Sequence, residues 1–330
     1  MTALKDGAHR GPLTTARSHE GRRPAWSLIG TSIDFRLRLA FSHADPVPEC
    51  ARRGYAVLKR AARPGGSDTF LADLTAAITD VLAEGPSPST DVALSESAEI
   101  ELIRLCFVAA QLDLLYRNQM LIEKTELLDD QRRIITPSQA VEQVSWFVVD
   151  QIRDQVQLSN TGLAPVRSQF TRALPGPTFA GSDLIGGADA DLLVDDLLLD
   201  FKASHKATTI VKQEVYQLAG YVLLDFPDEL QIRRVGVYWT RHGVLRTLST
   251  NTFFELLGAQ KPIDQLRSDL RSELTEARAA RQNAIRERTP AVGPMSDRAP
   301  DPQPPPAPAA PPRTGRIRSA IRTLRSSLNR

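Results

Sequence analysis

The stretch Gly186–Ser204 reads GGADADLLVDDLLLDFKAS, and its reading decides the fold. Asp195-Asp196 lies between two apolar runs, so a two-residue turn there folds the stretch into a β-hairpin. In that register Asp191 faces Asp200, and Asp189 faces Lys202. Side chains alternate across a strand. One face therefore carries Asp189, Asp191, Leu193, Leu198, Asp200 and Lys202, and the other carries Ala190, Leu192, Val194, Leu197, Leu199 and Phe201, all apolar. Three carboxylates and one ammonium gather at the open end of one face. Like charges opposite each other on paired strands are destabilising, and a divalent cation relieves them. Hard carboxylate oxygens suit Mg2+ or Mn2+. Lys202, two residues beyond Asp200, is placed to orient an attacking water or to stabilise developing negative charge.

The segment that follows, 209–224, reads as a helix containing Gln217-Leu-Ala-Gly-Tyr221. Gln217 and Tyr221 stand at i and i+4 and share a helix face, and Gln213 extends the stripe by one turn. Asp191, then Asp200-Phe201-Lys202, then Gln217 and Tyr221 resemble the D…(D/E)xK…QxxxY signature of the PD-(D/E)XK phosphodiesterase superfamily, in its RecB-like/Cas4-like exonuclease branch. The resemblance covers about residues 165–250. The order of parts agrees with it: helices, acidic hairpin, helix with Gln and Tyr, second hairpin. No proline precedes Asp191.

The resemblance implies an α/β restriction-endonuclease-like core, a small mixed sheet flanked by helices, with a helical N-terminal region. It implies that Asp191, Asp200 and the backbone carbonyl of Phe201 hold Mg2+ or Mn2+. Lys202 would activate water, while Gln217 and Tyr221 would brace the site or touch DNA. Asp189 competes with Asp191 as the first ligand; Asp191 is preferred because it faces Asp200 and leads into the apolar strand Leu192-Leu193-Val194. For the upstream helical acid that some branches use, Glu99, Glu101 and Glu142 all stand as candidates. The expected function is Mg2+-dependent hydrolysis of DNA by a metal-activated water, with RNA as the second substrate class. The alternative is a catalytically inactive nuclease-fold module that binds nucleic acid or a protein partner.

Outward from the hairpin, apolar spacing predicts helices over 29–41, with Thr31 or Ser32 as N-cap, over 68–84 and over 92–119. Thr136-Pro137-Ser138 opens another, carrying Val141, Val144, Phe147, Val148 and Ile152. Val235, Val237 and Trp239 alternate into a turn at Arg241-His242-Gly243, a second hairpin over 232–248. A long charged helix, broken near Pro262, covers 251–288. The expected organisation is a disordered basic tail (1–24), a helical region (25–160), the core with its C-terminal helix (161–288), a Pro-rich linker (289–312) and a basic amphipathic segment (313–330). The linker holds ten of the 23 prolines.

The formal charge of +2 hides an asymmetry. Residues 1–25 carry +3 and 313–330 carry six arginines without an acid, which leaves 26–312 at −7. The basic C-terminal segment reads as a contact for nucleic acid, as a contact for an anionic membrane, or as a plain basic tail. The composition excludes a collagen, a coiled-coil rod and a wholly disordered chain. No apolar run reaches the length of a transmembrane helix, and the start lacks the apolar run of a signal peptide. Two cysteines, Cys50 and Cys106, build neither a disulfide framework nor a zinc site, which fits the cytoplasm. The Ala, Arg and Pro content suggests a high-GC bacterium.

Other chemistry-bearing residue types carry less. Ser42-His43-Ala44-Asp45 contains the residue types of a hydrolase triad, but triads assemble from distant segments, so it reads as a turn. His9, His19, His205 and His242 lack metal spacing, and Gly186-Gly187 is not a phosphate loop. The stretch Gly30–Phe35 is a further candidate for lining the cleft.

Overall fold

A computed structural model describes residues 25–85, 94–204 and 210–288. The expectations for 1–24, 289–312 and 313–330, and for His9, His19 and His205, lie outside the described residues.

The hairpin forms in the expected register. Strands β2 (Leu192–Val194) and β3 (Leu197–Lys202) are antiparallel, with Leu192 opposite Leu199, Leu193 opposite Leu198 and Val194 opposite Leu197. Asp195 turns the chain at φ 50°, a left-handed conformation that Asp tolerates better than most residues. β1 (Ala173–Pro175) adds antiparallel to β2. A crossover through α8 (Lys212–Leu224) brings β4 (Arg234–Trp239) parallel to β3, and β5 (Val244–Ser249) closes the mixed five-stranded sheet antiparallel to β4.

The expected partnership of Asp189 with Lys202 does not form. The β2–β3 ladder ends at Leu192, because the chain beyond β1 takes over the preceding residues. Gly176 N–H donates to the Asp191 carbonyl, and Asp189 bridges Thr178. Strict alternation stops there too, and Ala190 packs with Leu193 and Leu198.

Seven helices precede or adjoin the sheet: α1 (Trp26–Leu39), α2 (Glu49–Ala61), α3 (Phe70–Ala83), α4 (Glu96–Arg117), α5 (Pro137–Glu142), α6 (Trp146–Gly162) and α7 (Ala164–Arg167). α1 begins at Trp26, three residues before the expected start at 29, and its N-cap is Ala25. Thr31 and Ser32 therefore cap nothing; their hydroxyls donate back to the carbonyls of Ser27 and Leu28 inside the helix. Thr136 opens α5 with a capping box to Gln139, but the helix expected to run on from there stops at Glu142 and restarts at Trp146. α2 was not legible from periodicity. α9 (Thr250–Leu256) and α10 (Ile263–Arg288) meet around Pro262.

The sheet is apolar on both faces. Leu192, Val194, Leu197, Leu199 and Phe201 pack into the core of α1–α6. Leu193, Leu198, Val235, Val237 and Trp239 pack under α8 and α10, against Leu218, Val222 and Leu270. This three-layer α/β arrangement buries β2 and β3 almost completely.

Candidate active site

Three segments meet at the open end of the hairpin: the chain entering β2, strand β3 with α8 behind it, and α1. Asp191 lies outside the ladder, yet its Oδ2 accepts the Phe201 backbone N–H at 2.6 Å, which pins it against β3. Asp200 is only 3% exposed, and Lys202 Nζ lies 2.6 Å from its Oδ2. The two side chains stand at i and i+2, so the pleat puts them on one face. At that distance the Lys202 ammonium donates a charge-assisted hydrogen bond to the Asp200 carboxylate.

The first turns of α8 supply the flank. Gln217 Nε2 donates to Tyr221 Oη at 2.6 Å. The Tyr221 ring stacks on Phe179 with centroids 5.2 Å apart. Gln213, one turn before Gln217 in α8, is exposed. The charge of its neighbour Glu214 bears on both Asp200 and Lys202.

The electrostatics are strained in one direction. Burial pushes the Asp200 carboxyl up to about 7; Lys202 offsets part of this and Asp191 adds to it. Burial works against the Lys202 charge, but Asp200 and then Asp191 outweigh it, so its pKa lies above the usual lysine range. Tyr221 is raised well above an ordinary phenol by burial, then by Asp191 and Asp200. It keeps its proton.

An acid from earlier in the chain does approach the cluster: Asp34 of α1, in the Gly30–Phe35 stretch. Burial pushes Asp34 up to about 8, with Arg38 opposing and Asp191 and Asp189 reinforcing. Gly30, one turn earlier, faces Ala203 just past β3; a Cβ on it would lie 3.9 Å from the Ala203 Cβ. Glu99 serves elsewhere, holding the buried Arg36 through a two-pronged pair at 2.7 and 2.6 Å. Glu101 and Glu142 are exposed. A signal for Asp34 existed: it is the one acid of α1, with Arg38 four residues on along the same face.

Cations are already seated among these acids. Arg38 donates from Nε to Asp34 Oδ1 at 2.8 Å and from Nη2 to Asp34 Oδ2 at 2.5 Å, and Nη2 also reaches Asp191 Oδ1 at 3.4 Å. Asp189 lies 3.8 Å from Arg117, which is anchored on the buried Asp113. Among the described residues no three His, Cys, Asp or Glu side chains form a group ready to hold a metal. The donor chemistry nonetheless fits a hard divalent cation. Asp200 Oδ2 meets the Lys202 ammonium, and Asp191 Oδ1 has the long contact from Arg38. Both are carboxylate oxygens at the open end of the hairpin.

A buried polar frame holds the C-terminal end of β3. Thr240 N–H donates to the Lys202 carbonyl, and its hydroxyl donates to Gln155 Oε1 at 2.6 Å. Arg241 donates to the Ala203 carbonyl and to Gln151 Oε1, both at 2.9 Å. Sequence reading missed all four of these residues, whose partners are 38 to 90 positions away. Gly186 and Gly187 take φ of 81° and 103° on the way to β2. His242 is buried in the β4–β5 turn. The Ser42–Asp45 stretch is a turn, in which Asp45 pairs with Arg52.

A cleft of about 700 Å3 opens beside the acids. Phe35 and Arg38 of α1, Arg52 and Arg53 of α2, Tyr116, Gly176 and Asp189 are among its walls. It meets the acidic cluster at Arg38 and Asp189; Asp191, Asp200 and Lys202 lie beyond that edge.

No family model matches the chain, and no curated protein or solved structure matches it. Among the described residues no helix is long and apolar enough to cross a membrane.

Proposed function

We propose that the chain is a Mg2+- or Mn2+-dependent phosphodiesterase of PD-(D/E)XK type that hydrolyses DNA, acting in the cytoplasm. The observation that carries the reading is the buried Asp200–Lys202 pair set beside Asp191. An ammonium and two carboxylates held together at the open end of a hairpin, one carboxylate almost wholly buried, exceed what a surface salt bridge explains.

Asp191 and Asp200, with the Phe201 backbone carbonyl, are the groups that would hold the ion. When bound, the ion supplies a water of lowered pKa and neutralises charge on the phosphate. Lys202 keeps its proton, so it acts as a hydrogen-bond donor and fixed positive charge that orients the water and meets developing negative charge. Gln217 and Tyr221 brace the α8 side of the site. Asp34 adds a third acid from α1. Asp189, drawn toward Arg117, contributes charge at the rim.

The test is a cleavage assay on linear duplex, circular single-stranded DNA and RNA, in Mg2+, Mn2+ or EDTA. Cutting that needs metal and disappears in Lys202→Ala supports the reading. Cutting that survives in Lys202→Ala would place the chemistry elsewhere.

One observation favours the second reading, a catalytically inactive module of the same fold that binds nucleic acid or a protein. Arg38 already satisfies Asp34 and touches Asp191, so the acids are neutralised without a metal. A module of this kind shows no Mn2+-dependent rise in melting temperature.

A further inference from the structure

We propose that Arg38 is the site's built-in counter-ion: it occupies the charge position of a divalent cation, and the cation binds by displacing it from Asp191 while its pairing with Asp34 persists. The inference rests on the metal reading above and adds a residue that the D…DxK…QxxxY pattern does not contain.

The two contacts of Arg38 are unequal. Its fork to Asp34 is two-pronged and short, at 2.8 and 2.5 Å, whereas its single reach to Asp191 Oδ1 is 3.4 Å. Bidentate pairing is the stronger and more directional of the two. The other oxygen of Asp191 is held by the Phe201 N–H. Oδ1 is thus the oxygen left for a cation, and a cation arriving there meets the guanidinium as a like charge. One of the two must yield.

The fold gives the arginine somewhere to go. Its side chain is 6% exposed, and it forms part of the cleft wall, where Gly176 stands beside it at φ 61°. A Cβ on Gly176 would sit 2.9 Å from Arg38 Nη1, so glycine leaves the space through which the guanidinium shifts toward the cleft. Arg38 keeps Asp34 as its partner during the shift, so no buried charge is left alone. The arrangement also explains how the acids coexist in the metal-free protein: without a cation on Asp191, two carboxylates would face each other across a poorly solvated gap.

The test is Mn2+ binding by calorimetry to the full chain, with activity left aside. Wild type is compared with Arg38→Gln and Arg38→Lys, and melting in EDTA checks that each is folded. Removing the competing charge should tighten Mn2+ binding by about tenfold in Arg38→Gln, the equivalent of about 1.4 kcal/mol. Arg38→Lys keeps a charge but loses the fork, so its affinity should fall between the two. It also serves if Arg38→Gln does not fold. Equal or weaker Mn2+ binding in the folded Arg38 variants overturns the counter-ion role while leaving the metal site in place. Absence of Mn2+ binding in all three proteins overturns the metal reading and this inference with it.

Discussion

The two ends of the β2–β3 hairpin carry the same residue type in opposite circumstances. At the turn, Asp195 accepts hydrogen bonds at Oδ1 from the Thr171 N–H and hydroxyl and from the Arg172 N–H, at 3.0, 2.7 and 3.0 Å. Asp196 pairs with Arg234. Burial works against the Asp195 charge, but the Thr171 hydroxyl and the two N–H groups outweigh it, and its pKa falls below the ordinary value. At the open end, Asp200 Oδ2 meets the Lys202 ammonium at 2.6 Å, yet burial pushes its carboxyl up to about 7. Four residues separate Asp195 from Asp200. The difference lies in the balance of burial and donors: at the turn three donors outweigh burial, and at the open end burial outweighs the lysine. Carboxylates of the second kind mark functional sites more often than structural ones.

The largest test of that contrast is catalytic. Lys202→Ala and Asp200→Ala should each lower metal-dependent cleavage by about 10^2- to 10^4-fold, while Asp196→Ala leaves the rate within about twofold of wild type. A turn-end variant that abolished cleavage would erase the distinction between the two ends.

A stability test should run the other way. Replacing the buried pair with apolar residues of similar size, Asp200→Leu with Lys202→Met, should leave the metal-free protein as stable or about 1–4 kcal/mol more stable, because desolvation of both charges is removed. Asp195→Ala strips three donors of their acceptor at a partly solvated turn and should cost about 1–2 kcal/mol. Denaturant melts of both variants decide the comparison. A double variant far less stable than wild type would make the pair structural.

pH sharpens the contrast further. Asp34, at about 8, and Asp200, at about 7, hold protons more tightly in the fold than in the unfolded chain, where their value is 3.8. Their contribution to stability is therefore complete below the unfolded pKa and lost as pH rises through the folded values. Asp195, depressed in the fold, behaves oppositely: its contribution is present above the unfolded pKa and lost in acid. The metal-free melting temperature should fall by a few degrees between about pH 5 and pH 8.5. Asp34→Asn should flatten that slope, and Asp195→Ala should not. A slope unchanged in Asp34→Asn would move its origin away from the site.

The smallest effect belongs to Asp196→Ala. Its exposed pair with Arg234 should contribute at most about 1 kcal/mol, diminishing in salt, as a melt at low and high ionic strength would show.

How much of this was legible follows from distance along the chain. The hairpin register was readable because Asp195-Asp196 interrupts two short apolar runs and so marks a two-residue turn that fixes the pairing. Asp200 with Lys202 and Gln217 with Tyr221 were readable because each pair is set by a local period, two in a strand and four in a helix; the expected ladder pair of Asp191 with Asp200 does not form, and the Phe201 N–H holds Asp191 instead. The misreadings sit where a neighbour from elsewhere intervenes. Asp189 left Lys202 for Thr178 and Arg117 because the chain after β1 ends the ladder early.

The amino-acid sequence by itself determined the acidic hairpin, the lysine beside Asp200 and the Gln–Tyr helix, since short-range geometry suffices for each. Only the tertiary structure decided which upstream acid arrives, Asp34 and not Glu99, and that Arg38 comes with it to Asp191, 153 positions away. Packing of α1 between α4, α6 and the sheet makes that choice, and no local period in the chain encodes it.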